Sequence, residues 1–192
     1  MGLFESIREL GWGVEIFAVV TITLLVRYIA IYMLKILAKQ LEKTKNVWDD
    51  ALLEAAHKPL SWFILIFGLL WAIQISEGYL ASGLFSANNL ELIRQLTFII
   101  LIMYFLVRFI NLAEVRILDN LTNEPESDQT KFDPTTLHAL AKLLRLSVVI
   151  SAVLVALPTV GIEITALLAF GGVGGLAIGF AAQDLLSNFF GG

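Results

Sequence analysis

The residues best suited to chemistry lie together near the end of the chain. Gly172-Val173-Gly174-Gly175-Leu176-Ala177 fits the spacing G-x-G-x-x-A, with which a backbone approaches a dinucleotide pyrophosphate at a helix N-terminus. That chemistry requires a buried strand before the motif, a soluble βαβ unit around it and an acidic residue about 20 positions beyond it. Asp184 comes too soon, and the motif sits inside a long apolar run. The glycines therefore need another explanation. Other reactive side chains are sparse. His57 and His138 are isolated and read as structural or solvated. The chain has no cysteine, which removes disulfides, cysteine-ligated zinc, iron–sulfur clusters and thiol catalysis. HExxH, GxSxG, Walker A and paired intramembrane carboxylates do not occur. No catalytic residue, metal ligand or cofactor is implied, and the chain does not read as an enzyme.

The elements around the glycines explain them better. Of 192 residues 58% are hydrophobic, the mean hydropathy is +0.82 and the net charge is -4. A soluble domain buries a core with less apolar sequence, and here the excess falls in long blocks, as in a bilayer-embedded protein. The blocks predict five spans, about Val14–Leu34, Leu60–Ile75, Ile93–Leu112, Leu143–Leu157 and Ile162–Gln183. Pro59 suits the first turn of the second span, and Pro158 closes the fourth. The second and fourth fall short of the ~20 residues a bilayer core asks for. They are expected to continue as helix into the interface, with Arg94, Arg108 and Arg145 snorkelling. Trp62 and Trp71 are candidates for the interfacial belts. Arg27, inside the first span, reads as a snorkelling charge, with a functional charge as the other reading. The N-terminus is no secretory signal: Glu5, Arg8 and Glu9 make no positive n-region, and the run after them is too long.

Cations orient the spans. Lys35, Lys39, Lys43, Lys45 and Lys58 fall in the first connection, and Arg108, Arg116, Lys131, Lys142 and Arg145 in or beside the third. The opposite side has Arg8 and Arg94. The positive-inside rule puts the N-terminus outside and the C-terminus in the cytoplasm. Residues 46–57 have Val47, Trp48, Leu52, Leu53 and Ala56 at helical spacing with acids between, which predicts a short amphipathic helix at the inner interface. Asp119 to Asp133 is polar, acidic and broken by Pro125, and reads as a mobile loop. Asp133-Pro134 then reads as N-cap and first helical residue. No basic stripe with interleaved aromatics is present, which argues against a nucleic-acid partner.

Ala166 to Gly192 reads ALLAFGGVGGLAIGFAAQDLLSNFFGG. Each interior glycine costs a helix roughly 1 kcal/mol against alanine, but small residues let helices in a membrane approach closely. On a helical wheel Gly171, Gly175, Gly179 and Ala182 share one face, with Gly172 at its edge, and Gly174, Ala177 and Ala181 share another. Between them lie Ala169, Val173, Leu176 and Phe180. Two small faces suit a helix gripped by a neighbour on each side, a head-to-tail contact that can close into a ring. The third face then points at the ring axis, where Leu176 and Phe180 form stacked apolar collars that shut a pore by dewetting. Ordinary helix packing also uses small residues at this spacing, and the pattern alone leaves both readings open. Gln183 and Asp184 break the apolar run. Asp184 is a candidate N-cap for a following helix with Leu185, Leu186, Phe189 and Phe190 on one face, and Gln183-Asp184 would form the bend and inner mouth. An Asp184 ring biasing permeation towards cations is the other reading. Glu163 sits at the outer start of the fifth span, where a carboxylate suits a helix N-terminus.

At GGVGGLAIGFAAQDLLSNFFGG the sequence resembles the pore-helix signature of the MscS family, the mechanosensitive channels of small conductance. The likeness covers Leu157 to Gly192. Upstream, VWDDALLEAAHKPL is similar to the five-span branch. The resemblance implies a homoheptameric ring in a prokaryotic cell (inner) membrane, opened by membrane tension and releasing ions and small solutes on hypoosmotic shock. Its partners would be copies of itself, membrane lipids and the permeating solutes. Leu176 and Phe180 match the two seal positions, and Gly171, Gly172, Gly175, Ala177, Gly179 and Ala181 fall on packing positions. The prototype has a kink glycine where Asp184 stands here. Residues 1–161 are then the peripheral, sensing helices, and 162–192 the pore-lining helix with the start of an amphipathic helix. A cytoplasmic β domain is expected after residue 192. The competing readings are a secondary transporter and a non-conducting membrane scaffold. A transporter should show intramembrane polar pairs or a repeat, and the sequence displays neither.

Overall fold

The structure, a computed structural model, describes residues 2–41, 47–80, 86–123 and 133–191. They form five helices: α1 (Gly2–Leu41), α2 (Val47–Leu80), α3 (Ala87–Asn123), α4 (Pro134–Thr159) and α5 (Thr165–Gly191). Each contains a stretch long and apolar enough to cross a membrane, and no strand occurs among the described residues. The protein is an all-α integral membrane protein. The helices outrun the apolar blocks that predict them. The 34 residues of α2 cover about 51 Å at 1.5 Å per residue, against a hydrocarbon core of ~30 Å.

Local chemistry sets several helix ends. Ser86 caps α3: its carbonyl accepts from Leu90 N–H at 3.1 Å and its hydroxyl from Asn89 N–H at 3.4 Å. Asp133 caps α4 as expected, accepting from Thr135 N–H at 3.3 Å. The start of α2 corrects the sequence reading. No separate amphipathic helix precedes a span opened by Pro59; one helix begins at Val47 and Pro59 lies inside it. The segment from Val47 has its own acidic first turn, Asp49 and Asp50, which favours a helix start there. Helices in membranes tolerate an interior proline where neighbours and side chains re-satisfy the freed backbone groups. Trp62 and Trp71 are both exposed on α2. Nine residues along a helix is about 14 Å, so the two tryptophans do not mark opposite faces of the bilayer core. Most of the loop expected at 119–133 lies outside the described residues, although α3 reaches Asn123.

The chain divides into two compact units, Met1–Val153 and Leu154–Gly192. In the first, α2 packs along both α1 and α3, and the buried positions are mostly small: Ala51, Ala55, Ala72 and Ala113, with Leu70 and Leu90. On α2 the pairs Ala51/Ala55 and Gly68/Ala72 have small-xxx-small spacing, which brings backbones together where lipid gives no hydrophobic drive. A Cβ on Gly68 would lie 2.2 Å from both Cγ2 and Oγ1 of Thr23 on α1.

Arginines join the helices at several levels. Arg27 Nε donates to Ser61 Oγ at 2.8 Å, linking α1 to α2. Arg94 donates to Gln74 Oε1 at 2.9 Å, linking α3 to α2. Arg116 pairs with Glu54 at 2.8 Å and Asp50 at 3.5 Å, again across α2 and α3. Arg145 of α4 donates to Glu114 Oε2 of α3 at 2.7 Å and also reaches Asn111. Arg27, Arg94 and Arg145, expected to snorkel, therefore each have a partner on a neighbouring helix, and Arg94 pairs with Glu91 of its own helix as well. Arg108 alone of these stays with its own helix, reaching Tyr104 Oη at 3.5 Å.

Gly68→Ala should force α1 and α2 apart, because Thr23 is β-branched and its Cβ also stands 2.7 Å from the added carbon. Overpacking of this kind costs about 1–3 kcal/mol. The expected outcome is a lower unfolding midpoint in detergent, largely restored when Thr23→Gly is made in the same chain.

Candidate pore-lining helix

The glycine-rich segment is positioned by the turn before it. Ile162 N–H donates to the Leu157 carbonyl at 3.0 Å and Gly161 N–H to the Pro158 carbonyl at 3.0 Å. Gly161 has φ +83°. This is a Schellman closure, with glycine in the left-handed position. Pro158 sits in the last turn of α4; it lacks an N–H and cannot prolong the ladder. Ile162 is thus committed to closing α4, and α5 begins at Thr165, three residues later than the apolar run suggests. Its first turn opens with Leu168 N–H donating to the Ile164 carbonyl at 2.9 Å. Glu163 stands just before that turn and is exposed.

Every predicted site residue falls on α5: Ala169, Gly171, Gly172, Val173, Gly174, Gly175, Leu176, Ala177, Gly179, Phe180, Ala181, Gln183 and Asp184. Because they share one continuous helix, the three faces read from the sequence keep their angular order. Val173, Leu176 and Phe180 are exposed at 69%, 64% and 72%. The helix runs without interruption through Gln183 and Asp184 to Gly191, so Asp184 lies inside α5 and caps no second helix. Aspartate is a mediocre helix former, not a breaker, and no proline or left-handed residue stops the ladder there. The side chains of Asp184, Leu185, Leu186, Phe189 and Phe190 lie outside the described residues.

The glycines of α5 differ from Gly68. A Cβ on Gly171, Gly172, Gly174, Gly175 or Gly179 would meet nothing within 4 Å. Within this unit no packing neighbour requires them, yet each weakens the helix relative to alanine. Two further residues were missed in the sequence. Phe170 is 81% exposed and shares the face of Gly174, Ala177 and Ala181, one large ring on a small-residue surface. Ile178 is also exposed, and on the wheel it lies opposite Leu176 and Phe180. Among the described residues no group of acids and histidines could hold a metal. Among its described residues α5 presents an apolar wall flanked by two rows of small residues.

A family profile described as "Mechanosensitive ion channel, transmembrane helices 2/3" matches residues 142–183, the second half of α4 and most of α5. The match begins upstream of the Leu157–Gly192 stretch that carries the resemblance, and it ends at Gln183. The chain is 34% identical over 158 residues to the small-conductance mechanosensitive channel MscMJ of Methanocaldococcus jannaschii, covering 81% of this chain and 43% of that protein. It is 30% identical over 177 residues to an uncharacterized MscS family protein of Aquifex aeolicus, covering 91% and 45%. Over 74 residues it is 38% identical to the low conductance mechanosensitive channel YnaI of Escherichia coli, covering 38% and 22%. The chain thus spans under half the length of each of these relatives. No solved structure gives a significant match.

Gly161→Ala places a Cβ in the left-handed region, which costs roughly 1–2 kcal/mol. The unfolding midpoint should fall, and Gly161→Asn should fall less because asparagine tolerates that conformation. Equal midpoints for wild type and Gly161→Ala would show that the turn does not carry this strain.

Proposed function

The chain belongs to the MscS family of mechanosensitive channels, and from that premise we propose that it is the membrane part of a tension-gated pore lined by α5. The observation that carries the reading is the pair of small faces on α5. Their glycines cost helix stability and have no neighbour within their unit. Copies of α5 around a ring would supply those neighbours, one helix's glycine groove taking the next helix's alanine ridge. The repeat of one heterologous contact closes into a ring, for which seven copies is our proposal. Ala169, Val173, Leu176 and Phe180 then line the axis. Leu176 and Phe180 are one turn apart, so each contributes a collar of apolar side chains that holds no stable water column when narrow. Gln183 and Asp184 lie one turn further on, at the inner mouth.

Tension favours whichever state occupies more membrane area, and it shifts the equilibrium only through that difference. In our reading α1 to α3 face lipid and feel the tension. Separation of the α5 helices widens the collars, which wet and conduct ions and small solutes, as a cell needs on hypoosmotic shock. We place the N-terminus outside and the lysine-rich connections in the cytoplasm of a prokaryotic cell, as the positive-inside rule requires. Membrane lipids are the other proposed partner. A cavity of about 440 Å³ among α1, α2 and α3, lined by Ile22, Val26, Ile64, Phe67 and Trp71 with Gln74 and Arg94, is apolar enough for an acyl chain. A transporter would need intramembrane polar pairs facing a path, but the polar ties observed bind helix to helix.

Variants of the collar and of the small faces are read in patches from liposomes holding the full-length protein. Phe180→Ser or Leu176→Ser hydrates the collar, so either variant should open at lower suction than wild type; unchanged thresholds in both would remove these residues from the seal. Gly175→Leu or Gly179→Leu fills a groove that must admit a neighbour, so the ring should fail to assemble or should gate at altered tension. Native-size assemblies with wild-type thresholds in both variants would place the subunit contact elsewhere.

A further inference from the structure

Glu114 is the one charged side chain that is buried among the described residues, at 7% exposure. Both of its oxygens are engaged, and both by α4. Oε2 accepts from Arg145 Nη1 at 2.7 Å, and Oε1 meets His138 Nδ1. Arg145 Nη1 also donates to Asn111, one turn before Glu114 on α3. On α4, His138, Ala141 and Arg145 are spaced i, i+3 and i+7 and so share a face, with Ala141 buried between the two polar residues. Further along α4 the side-chain hydrogen bonds turn inward: Ser147 and Thr159 donate to their own helix's carbonyls. The bonds of the Glu114 cluster tie the first half of α4 to α3.

Its place in the chain gives it a second meaning. The stretch matched by the channel-family profile begins at Lys142. Arg145 lies inside it, whereas Asn111 and Glu114 lie on the helix before it. The cluster thus joins the upstream helices to the helix that leads, through the closed turn at Gly161, into α5. Two apolar helices in lipid can slide past each other at little cost, because no hydrophobic force holds them in register. A buried carboxylate cannot slide, since losing its partners leaves an uncompensated charge.

We propose that Glu114, Arg145 and His138 form the clasp through which α1 to α3 pull on α4 and so on α5. This rests on the channel reading above. The three are positioning residues: they touch no permeating solute, and they convert displacement of the peripheral helices into displacement of the pore helix.

The test is the tension dependence of the full-length protein in liposome patches, comparing wild type, Glu114→Gln, Arg145→Gln and the charge-swapped double variant Glu114→Arg/Arg145→Glu. Each single variant should need more tension, with open probability at the wild-type midpoint falling roughly tenfold, a typical size for coupling between sites. Single-channel conductance should stay unchanged, and the swap should restore the midpoint towards wild type. A role in folding alone would lower the number of channels and leave the midpoint of the survivors in place, which would overturn the clasp. So would single variants that are shifted without rescue by the swap. A wild type that passes no current under tension overturns the channel reading and the clasp with it; a wild type that opens while the singles keep its midpoint overturns the clasp alone.

Discussion

Lipid tails are as apolar as leucine, so burial of apolar surface does not hold these helices to each other. Two devices remain to a membrane helix: backbones that approach closely over small residues, and polar groups that find partners on a neighbour. This chain uses both. Small residues and arginine ties together bind α1, α2 and α3, with Gly68 directly against Thr23. The Glu114 cluster binds α4. The glycines of α5 stand apart from both, at cost to their own helix and with no neighbour in their unit.

The same constraint explains why the arginines matter more than their number suggests. A guanidinium at membrane depth needs partners or a route to water. Arg27 takes Ser61, Arg94 takes Gln74, and Arg145 takes Glu114 and Asn111. Arg94 also pairs with Glu91 on its own helix, but each of the partners just named lies on another helix, so each desolvation cost is offset by an interhelical bond that also fixes register. In the proposed channel, helices held this way would move as a body, so that tension acts on more than one helix at a time.

Much of this was legible in the sequence because hydropathy blocks and wheel faces are local properties. Five spans, the all-α class and the Asp133 cap depend on neighbours within a few residues. The faces of α5 needed only the knowledge that one helix runs through them. The sequence reading went wrong where a strong local signal misled. Pro59 looks like a helix start, yet α2 passes through it because the segment from Val47 supplies its own acidic first turn. Asp184 looks like a cap, yet nothing stops the ladder before it. Gly161 was overlooked, although a glycine just after an apolar run is the usual sign of a Schellman turn. The ties from Arg27 to Ser61 and from Glu114 to Arg145 join residues more than thirty positions apart, and no periodicity reports such a pairing.

If α5 lines a pore as proposed, one of its faces meets water in the open state and the opposite face does not. Single cysteines at Leu176, Ile178 and Phe180, each placed in the full-length protein in a liposome patch held open by suction, test it with a charged thiol reagent that reacts only in water. Leu176→Cys and Phe180→Cys should be modified and change the current, while Ile178→Cys should not. Modification at Ile178 with none at Leu176 and Phe180, or equal reaction at all three, would contradict it.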